Sequence, residues 1–248
     1  MTDHDPKKFY NEVMPGKFGN DYEFSRWHKN PIQHAGYLLT KRSIETHVLA
    51  KGVPTPFRII ELGPGAGTWT KLLVGRFPDT EILAVDISKE MLDRAEQAIN
   101  NTFPNAQIKF HESDFLLFDD TRGCDLFFSS RVLEYIDDKR SFTEKIAQLL
   151  TPRGKGYVIT KMPHYDRDRL LGRKAQRFHT GQINPDALSG LFQESGLVVE
   201  GVYPVTVSVP FLHLPWLNHL FGKFLQSWRL NWFSAFFAES YCVVVRKL

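Results

Sequence analysis

The part of this chain best equipped for chemistry is a run of glycines flanked by a carboxylate, Ile60-Glu61-Leu62-Gly63-Pro64-Gly65-Ala66-Gly67-Thr68. Glycine lets a backbone turn sharply and lets a ligand lie against the main chain, where a Cβ would collide. A helix opening just after such a turn offers free N–H groups to polar ligand atoms. The spacing argues against a dinucleotide. The dinucleotide fingerprint is G-x-G-x-x-G/A, whereas Gly63-x-Gly65-x-Gly67 places its third glycine one position early and puts Thr68 where glycine or alanine is wanted. Glu61 stands two positions before Gly63, close to where a pyrophosphate would lie. A carboxylate there repels a phosphate and attracts an ammonium group.

Further polar residues follow at regular intervals, each at the end of an apolar run. Asp86 closes Ala84-Val85-Asp86-Ile87-Ser88, and a carboxylate at a strand end can accept from both hydroxyls of a ribose. Ile87 and Met91 offer apolar surface to the face of an adenine ring. Asp114 and Phe115 follow the next run, where the carboxylate can accept from an exocyclic amino group. After the fourth run come Ser129-Ser130-Arg131-Val132-Leu133-Glu134-Tyr135-Ile136, with Ser130 facing the reactive end of the same crevice.

These residues need a scaffold that brings successive strand ends together, and the hydrophobic pattern supplies one. The pattern predicts strands at Phe57–Leu62, Glu81–Val85, Gln107–His111, Asp125–Ser129, Gly156–Thr160, Leu197–Tyr203 and Tyr241–Arg246. Helices are predicted at Ala35–Ala50, Thr68–Arg76, Lys89–Asn100, Ser141–Leu150 and Pro185–Glu194, with Ser88 and Asn184 as N-caps. Strands alternating with helices imply an α/β fold, a doubly wound and mostly parallel sheet covered on both faces.

With motifs and order in hand, the chain resembles the class I S-adenosylmethionine (SAM)-dependent methyltransferases, in their broad small-molecule group. The match rests on E-x-G-x-G-x-G at Glu61–Gly67, the acid Asp86, the Asp114-Phe115 pair and the run Val132-Leu133-Glu134-Tyr135-Ile136, and extends from Phe57 to Thr160. The resemblance implies a seven-stranded Rossmann-like sheet with its last strand antiparallel. It also implies that Glu61, Gly63, Gly65 and Gly67 hold the methionine moiety of SAM, Asp86 the ribose, and Asp114 with Phe115 the adenine edge. Tyr135 departs from the group, which often has histidine there.

Length and composition fit this expectation. The 248 residues suit one α/β domain, with 1–52 as an arm and helix. The net charge of +3 is too small for a dedicated nucleic-acid binder, and no N/D-P-P-Y/F motif follows the fourth strand, where Ser129-Ser130-Arg131-Val132 stands instead. Methylation of tRNA or protein is therefore the second enzymatic reading, and a non-catalytic SAM-binding scaffold the third. Cys124 and Cys242 lie in separate apolar runs and are expected to be buried core residues, and no metal site is indicated. The N-terminus lacks the apolar segment of a signal peptide, so a cytoplasmic protein is expected.

Two connections lie on the ligand side of the sheet. Residues 165–179 carry five basic side chains against two acidic ones, ordinarily a solvated face but also able to meet an anionic acceptor. Residues 204–239, between the last two strands, are too long for a tight turn and unusually rich in aromatic residues. They can form a lid, line an apolar pocket for a lipid-like acceptor, or lie in a membrane interface through residues 211–237. His164, His179 and Glu134 are the candidate general bases for a hydroxyl acceptor. The aromatic arm residues Tyr10 and Tyr22 are placed to close over the cofactor.

Overall fold

The computed structural model describes residues 5–19, 22–50, 54–163, 181–208 and 214–248. Among them lies a sheet of seven strands: β1 Arg58–Leu62, β2 Glu81–Asp86, β3 Ile108–Glu112, β4 Cys124–Ser130, β5 Leu150–Lys161, β6 Leu197–Val207 and β7 Ala238–Lys247. Their order is β3-β2-β1-β4-β5-β7-β6, with β7 antiparallel to both of its neighbours and the remaining pairs parallel. This is the predicted mostly parallel sheet with a reversed last strand.

Helices cover both faces, because alternate residues of each central strand are apolar on opposite sides. Ile60, Phe127, Val158 and Val243 pack with Phe142 and Ile146 of α7 (Lys139–Leu149) and with Leu188 and Phe192 of α8 (Pro185–Glu194). Ile59, Phe128, Tyr157 and Val244 pack on the other face with Ile44 of α4 (Pro31–His47) and with Leu73 and Val74 of α5 (Thr70–Arg76). Ile99 of α6 (Lys89–Asn100) joins this second core. Cys124 and Cys242 are buried free thiols, as their apolar settings predict.

Three of the boundaries that differ from the sequence pattern have a clear local reason. Helix α4 starts at Pro31 rather than Ala35, because the Asn30 side chain accepts from the Gln33 N–H at 2.9 Å and Pro31 fits the first turn. Strand β5 starts at Leu150, with Pro152 to Gly154 bulged out where the register shifts between Cys124 and Leu126. Strand β6 runs on through Pro204 to Val207; it is an edge strand, where the missing N–H of proline is tolerated. The connection to β7 is correspondingly shorter than 204–239.

Within that connection lie α9 (Pro215–Leu225) and α10 (Trp232–Phe237). Leu225 packs with Leu39 of α4 and Val207 of β6. Gly222 allows the close approach, since a Cβ there would lie 2.6 Å from the Leu39 side chain. The buried Gln226 amide donates to the carbonyls of Leu39 at 2.8 Å and Val205 at 2.6 Å, fastening the insertion to helix and sheet together. At the other end, α1 (Pro6–Lys8), a π-helical turn Phe9–Val13, α2 (Met14–Phe18) and α3 (Tyr22–Trp27) lie over the carboxyl ends of the strands.

Replacing Gln226 by alanine removes both buried hydrogen bonds and is expected to lower stability by about 2 kcal/mol. Denaturant unfolding that leaves the free energy unchanged would show that the insertion is held by its apolar contacts alone.

Candidate functional site

The chain leaves β1 toward β2 and β3 and then returns to β4 on the other side of β1, which opens a crevice at the carboxyl ends of β1 and β4. The glycine turn sits there. Gly63, Gly65 and Gly67 have φ of +72°, +57° and +84°, the left-handed region that favours glycine. Their surroundings divide the work. A Cβ on Gly63 would strike Val132 at 2.1 Å, and one on Gly67 would press on the α6 backbone at Ala95, 3.3 Å away. A Cβ on Gly65 would meet no protein atom within 4 Å. Gly63 and Gly67 thus let the turn pack, whereas Gly65 leaves open space for a ligand.

That space is a cavity of about 480 Å³, in the range of small-molecule sites. Its wall contains Gly63, Gly65, Asp86, Ile87, Met91, Asp114, Phe115 and Ser130, which the sequence predicted would converge. Asp86 accepts from the Ser88 N–H at 3.0 Å. Burial nevertheless pushes its carboxyl up to about 6, opposed by the N–H groups of Ser88, Gly65 and Ile87. Asp114 accepts from the Leu116 N–H at 2.9 Å. The Phe115 ring is committed to the core between Phe127 and Phe142, so this residue shapes the wall without offering its ring face. The buried Ser130 hydroxyl has no hydrogen-bond partner.

Glu61 is placed differently from expectation. It lies 1% exposed in β1, beneath the glycine turn, and is not part of the cavity wall. Its Oε2 has no partner, and burial pushes its carboxyl up to about 8, with Thr70 opposing and the nearby Asp86 charge adding to the rise. Its carboxyl is therefore separated from the cavity by the turn above it. Gly67 also stands outside the wall.

The N-terminal arm closes the cavity from above. Met14 and Tyr22 pack with Ala66 of the glycine turn and Met91 of α6, with Phe9 and Tyr10 against them. The Ser88 hydroxyl, which caps α6, donates to Asn11 at 2.7 Å, and Thr68 donates to Glu23. Tyr10 and Tyr22 line the cavity, where the sequence reading placed them. The Tyr10 and Tyr135 hydroxyls are 3.3 Å apart.

A second cavity of about 410 Å³ adjoins the first, and the two share Arg26, Trp27 and Arg131 as lining residues. It lies between α4, the ends of β6 and β7, and Asn218 of α9. The two cavities differ in charge. Six acidic residues line the first: Asp5, Glu23, Asp86, Asp114, Asp137 and Asp138. The second has Glu239 as its acidic residue, against the two shared guanidinium groups. Arg26 donates to the Tyr22 hydroxyl at 2.5 Å and stacks near the Tyr22 and Trp27 rings, with no carboxylate partner among the described residues.

Arg131 is held in a left-handed conformation, φ +67°, at the end of β4. Its Nε donates to Glu134 Oε1 at 2.6 Å, and Thr160 donates to the other oxygen at 3.0 Å. Burial opposes the Glu134 charge, but the Arg131 guanidinium outweighs it and holds the carboxyl below its usual range. Glu134 lies outside both cavity walls with both oxygens engaged, an arrangement that positions Arg131. Lys161, at the end of β5, is pushed down to about 8 by burial, with Arg131 acting in the same direction. His164, His179 and the basic run 165–179 lie outside the described residues. Arg26 and Trp27 were not singled out from sequence, because they stand in an arm whose short helices carry no long periodic signal.

With this geometry in place, comparison with known proteins shows what part of the chain is similar to and which fold it shares. Residues 60–155 match the model of a methyltransferase domain. The fold is that of a class I methyltransferase. The chain is 28% identical over 140 residues to trans-aconitate 2-methyltransferase from Methylobacterium radiotolerans, covering 56% of this chain and 47% of that protein. It is 29% identical over 135 residues to malonyl-[acyl-carrier protein] O-methyltransferase 1 from Ilyobacter polytropus, covering 53% and 48%. The chain thus spans about half the length of the curated relatives it matches. Among solved structures, magnesium protoporphyrin IX methyltransferase from Synechocystis, with bound S-adenosylhomocysteine (SAH), superposes with a TM-score of 0.65 at 12% identity, covering 98% of this chain and 97% of that one. The matched segment contains most of β1, all of β2 to β4, the glycine turn, and Asp86, Asp114, Asp137 and Asp138 of the first cavity.

The raised Glu61 carboxyl gives a signed prediction. The folded domain binds this proton up to about pH 8, whereas an ordinary glutamate releases it near 4.5. The resulting stabilisation is complete below about 4.5 and is lost as pH rises through 8. Glu61→Gln removes the dependence, so at pH 9 the ligand-free variant should melt higher than the parent by about 3 °C or more, with the difference vanishing near pH 5. An equal or lower melting temperature at pH 9 would remove the buried charge from this account.

Proposed function

We propose that the protein transfers the methyl group of SAM to an oxygen of an amphipathic, anionic small molecule, with a carboxylate as the group methylated. The observation that carries this reading is the division of charge between two adjoining cavities: an acidic one at the switch point and one with two arginines in the shared wall. A cationic donor suits the first and an anionic acceptor the second. The relatives are named for trans-aconitate and malonyl-[acyl-carrier protein], and the latter's name specifies transfer to oxygen.

The described residues fit SAM in the first cavity. Gly65 leaves an open cradle at the turn, Ser130 presents an unpartnered hydroxyl, and Asp86 faces the cavity with its position fixed by backbone N–H groups. Asp86 is suited to ribose hydroxyls, Asp114 to an adenine amino group, Ile87 and Met91 to the ring face, and Gly63 and Gly65 to the methionine part. When bound, SAM supplies a methyl group already activated by a sulfonium.

The protein's own contribution is alignment, exclusion of water and charge. Met14, Tyr10 and Tyr22 cover the donor cavity. Arg26 and Arg131 orient an acceptor carboxylate from the second cavity, whose Ile32, Ala35, Leu39, Ile159 and Val207 accommodate an apolar tail. Holding two reactants in line contributes about 7–11 kcal/mol to such a displacement. A carboxylate is already a nucleophile, so this reading requires no general base.

SAM and SAH should raise the melting temperature through coupled binding, and Asp86→Ala should weaken SAM binding by more than about tenfold, or 1.4 kcal/mol. Tritium transfer from labelled SAM should occur to members of a series running from tricarboxylates to long-chain fatty acids. Arg26→Gln should raise the acceptor KM more than it raises the SAM dissociation constant. Transfer to neutral alcohols or amines while every acid stays unlabelled would contradict the carboxylate assignment. A saturating dose of SAM without a melting shift would contradict the donor.

A further inference from the structure

We propose that the outer face of the insertion docks on an anionic lipid surface, beside the second cavity. Trp216, Leu220, Phe224, Trp228 and Trp232 recur at every fourth position through α9, the following turn and the start of α10. They are 64%, 59%, 55%, 59% and 86% exposed. A single exposed leucine needs no explanation, but a row of large apolar side chains marks an interaction surface. The fold does not need this row for its own core: α9 packs inward through Asn218, Gly222 and Leu225, against Leu39 and Val207. The helix has a second apolar side, turned outward.

Charge selects the occupant. From Gly201 to Ala238 the sequence contains no aspartate or glutamate, while Lys223 and Arg229 are both present and exposed. Lys223 lies three positions beyond Leu220 and seven beyond Trp216, on the same side of α9. Three of the chain's five tryptophans stand in the row. Tryptophan and phenylalanine with flanking cations and no carboxylate suit the headgroup region of an anionic membrane. No described helix is long and apolar enough to cross a membrane, so the contact is in the plane of the surface. Asn218 on α9 and the half-exposed Ile32 on α4 both line the second cavity, which places that cavity next to the docking face. An amphipathic acceptor could then pass from lipid to site without crossing water.

The test is co-sedimentation of the full chain with phosphatidylglycerol-containing vesicles and with pure phosphatidylcholine vesicles, read independently of methyl transfer. Binding should be about tenfold or more stronger to the anionic vesicles and should weaken with salt. The Trp216→Ser/Trp232→Ser double variant should lose most of that binding while keeping its circular dichroism spectrum and melting temperature. Lys223→Glu, a charge reversal on the exposed face, should retain apolar binding but lose the preference for anionic lipid. Failure of the unaltered chain to sediment, or undiminished sedimentation of the folded double variant, overturns the proposal and leaves the donor and acceptor assignments standing. Concentration-dependent self-association in the ultracentrifuge, abolished by the double variant and unaccompanied by vesicle binding, overturns it in favour of an interface between copies of the chain.

Discussion

A carboxylate held at the end of a parallel strand organises this site. Asp86 accepts a 3.0 Å hydrogen bond from Ser88, and the N–H groups of Gly65 and Ile87 favour its charge as well, so one side chain joins the glycine turn of β1 to the end of β2. It does so while facing the cavity, where burial raises its pKa to about 6. Glu61 lies just beneath with its pKa raised to about 8. Two partly neutralised acids under one turn are a store of unfavourable electrostatics that a cation above them would relieve. The arm adds to this by limiting solvent over the same turn through Met14 and Tyr22.

Arginine at the boundary completes the polarity. Arg131 is kept in a strained left-handed conformation by the buried Glu134 and by its own N–H, which donates to Ile159 at 2.8 Å. Arg26 comes from the arm and, among the described residues, has aromatic and hydroxyl neighbours in place of a carboxylate. The acidic first cavity and the basic wall are thus built from different layers of the molecule. The strand ends supply the first, and the arm together with the turn after β4 supplies the second.

The sheet and the gathering of Gly63, Gly65, Asp86 and Asp114 around one cavity were legible in the sequence because both depend on local patterns. Apolar runs of strand length, glycines at fixed spacing and acids at strand ends survive in one dimension. Strand limits were missed where tertiary position overrides local preference, as at Pro204, tolerated because β6 is an edge, and at Pro152, carried in a bulge. Glu61 differs in placement from what its position in the motif suggests: the strand register buries it below the cavity wall. The basic wall was illegible because Arg26 meets Arg131 only across the folded molecule, with no spacing rule to connect them. The aromatic insertion was conspicuous as composition, but only the fold separates the inward residues Gly222 and Leu225 from the outward Trp216 and Phe224.

The central claim is that a cation settles over the turn at Gly63–Gly67 and drives the acids beneath it into their charged forms. Isothermal titration calorimetry of SAM at pH 7, in buffers of different ionisation enthalpy, measures that directly. The account predicts release of a large fraction of one proton on binding, chiefly from Glu61, falling toward zero at pH 9 and absent in Glu61→Gln. Binding whose heat does not depend on the buffer, or that takes up a proton, would contradict it.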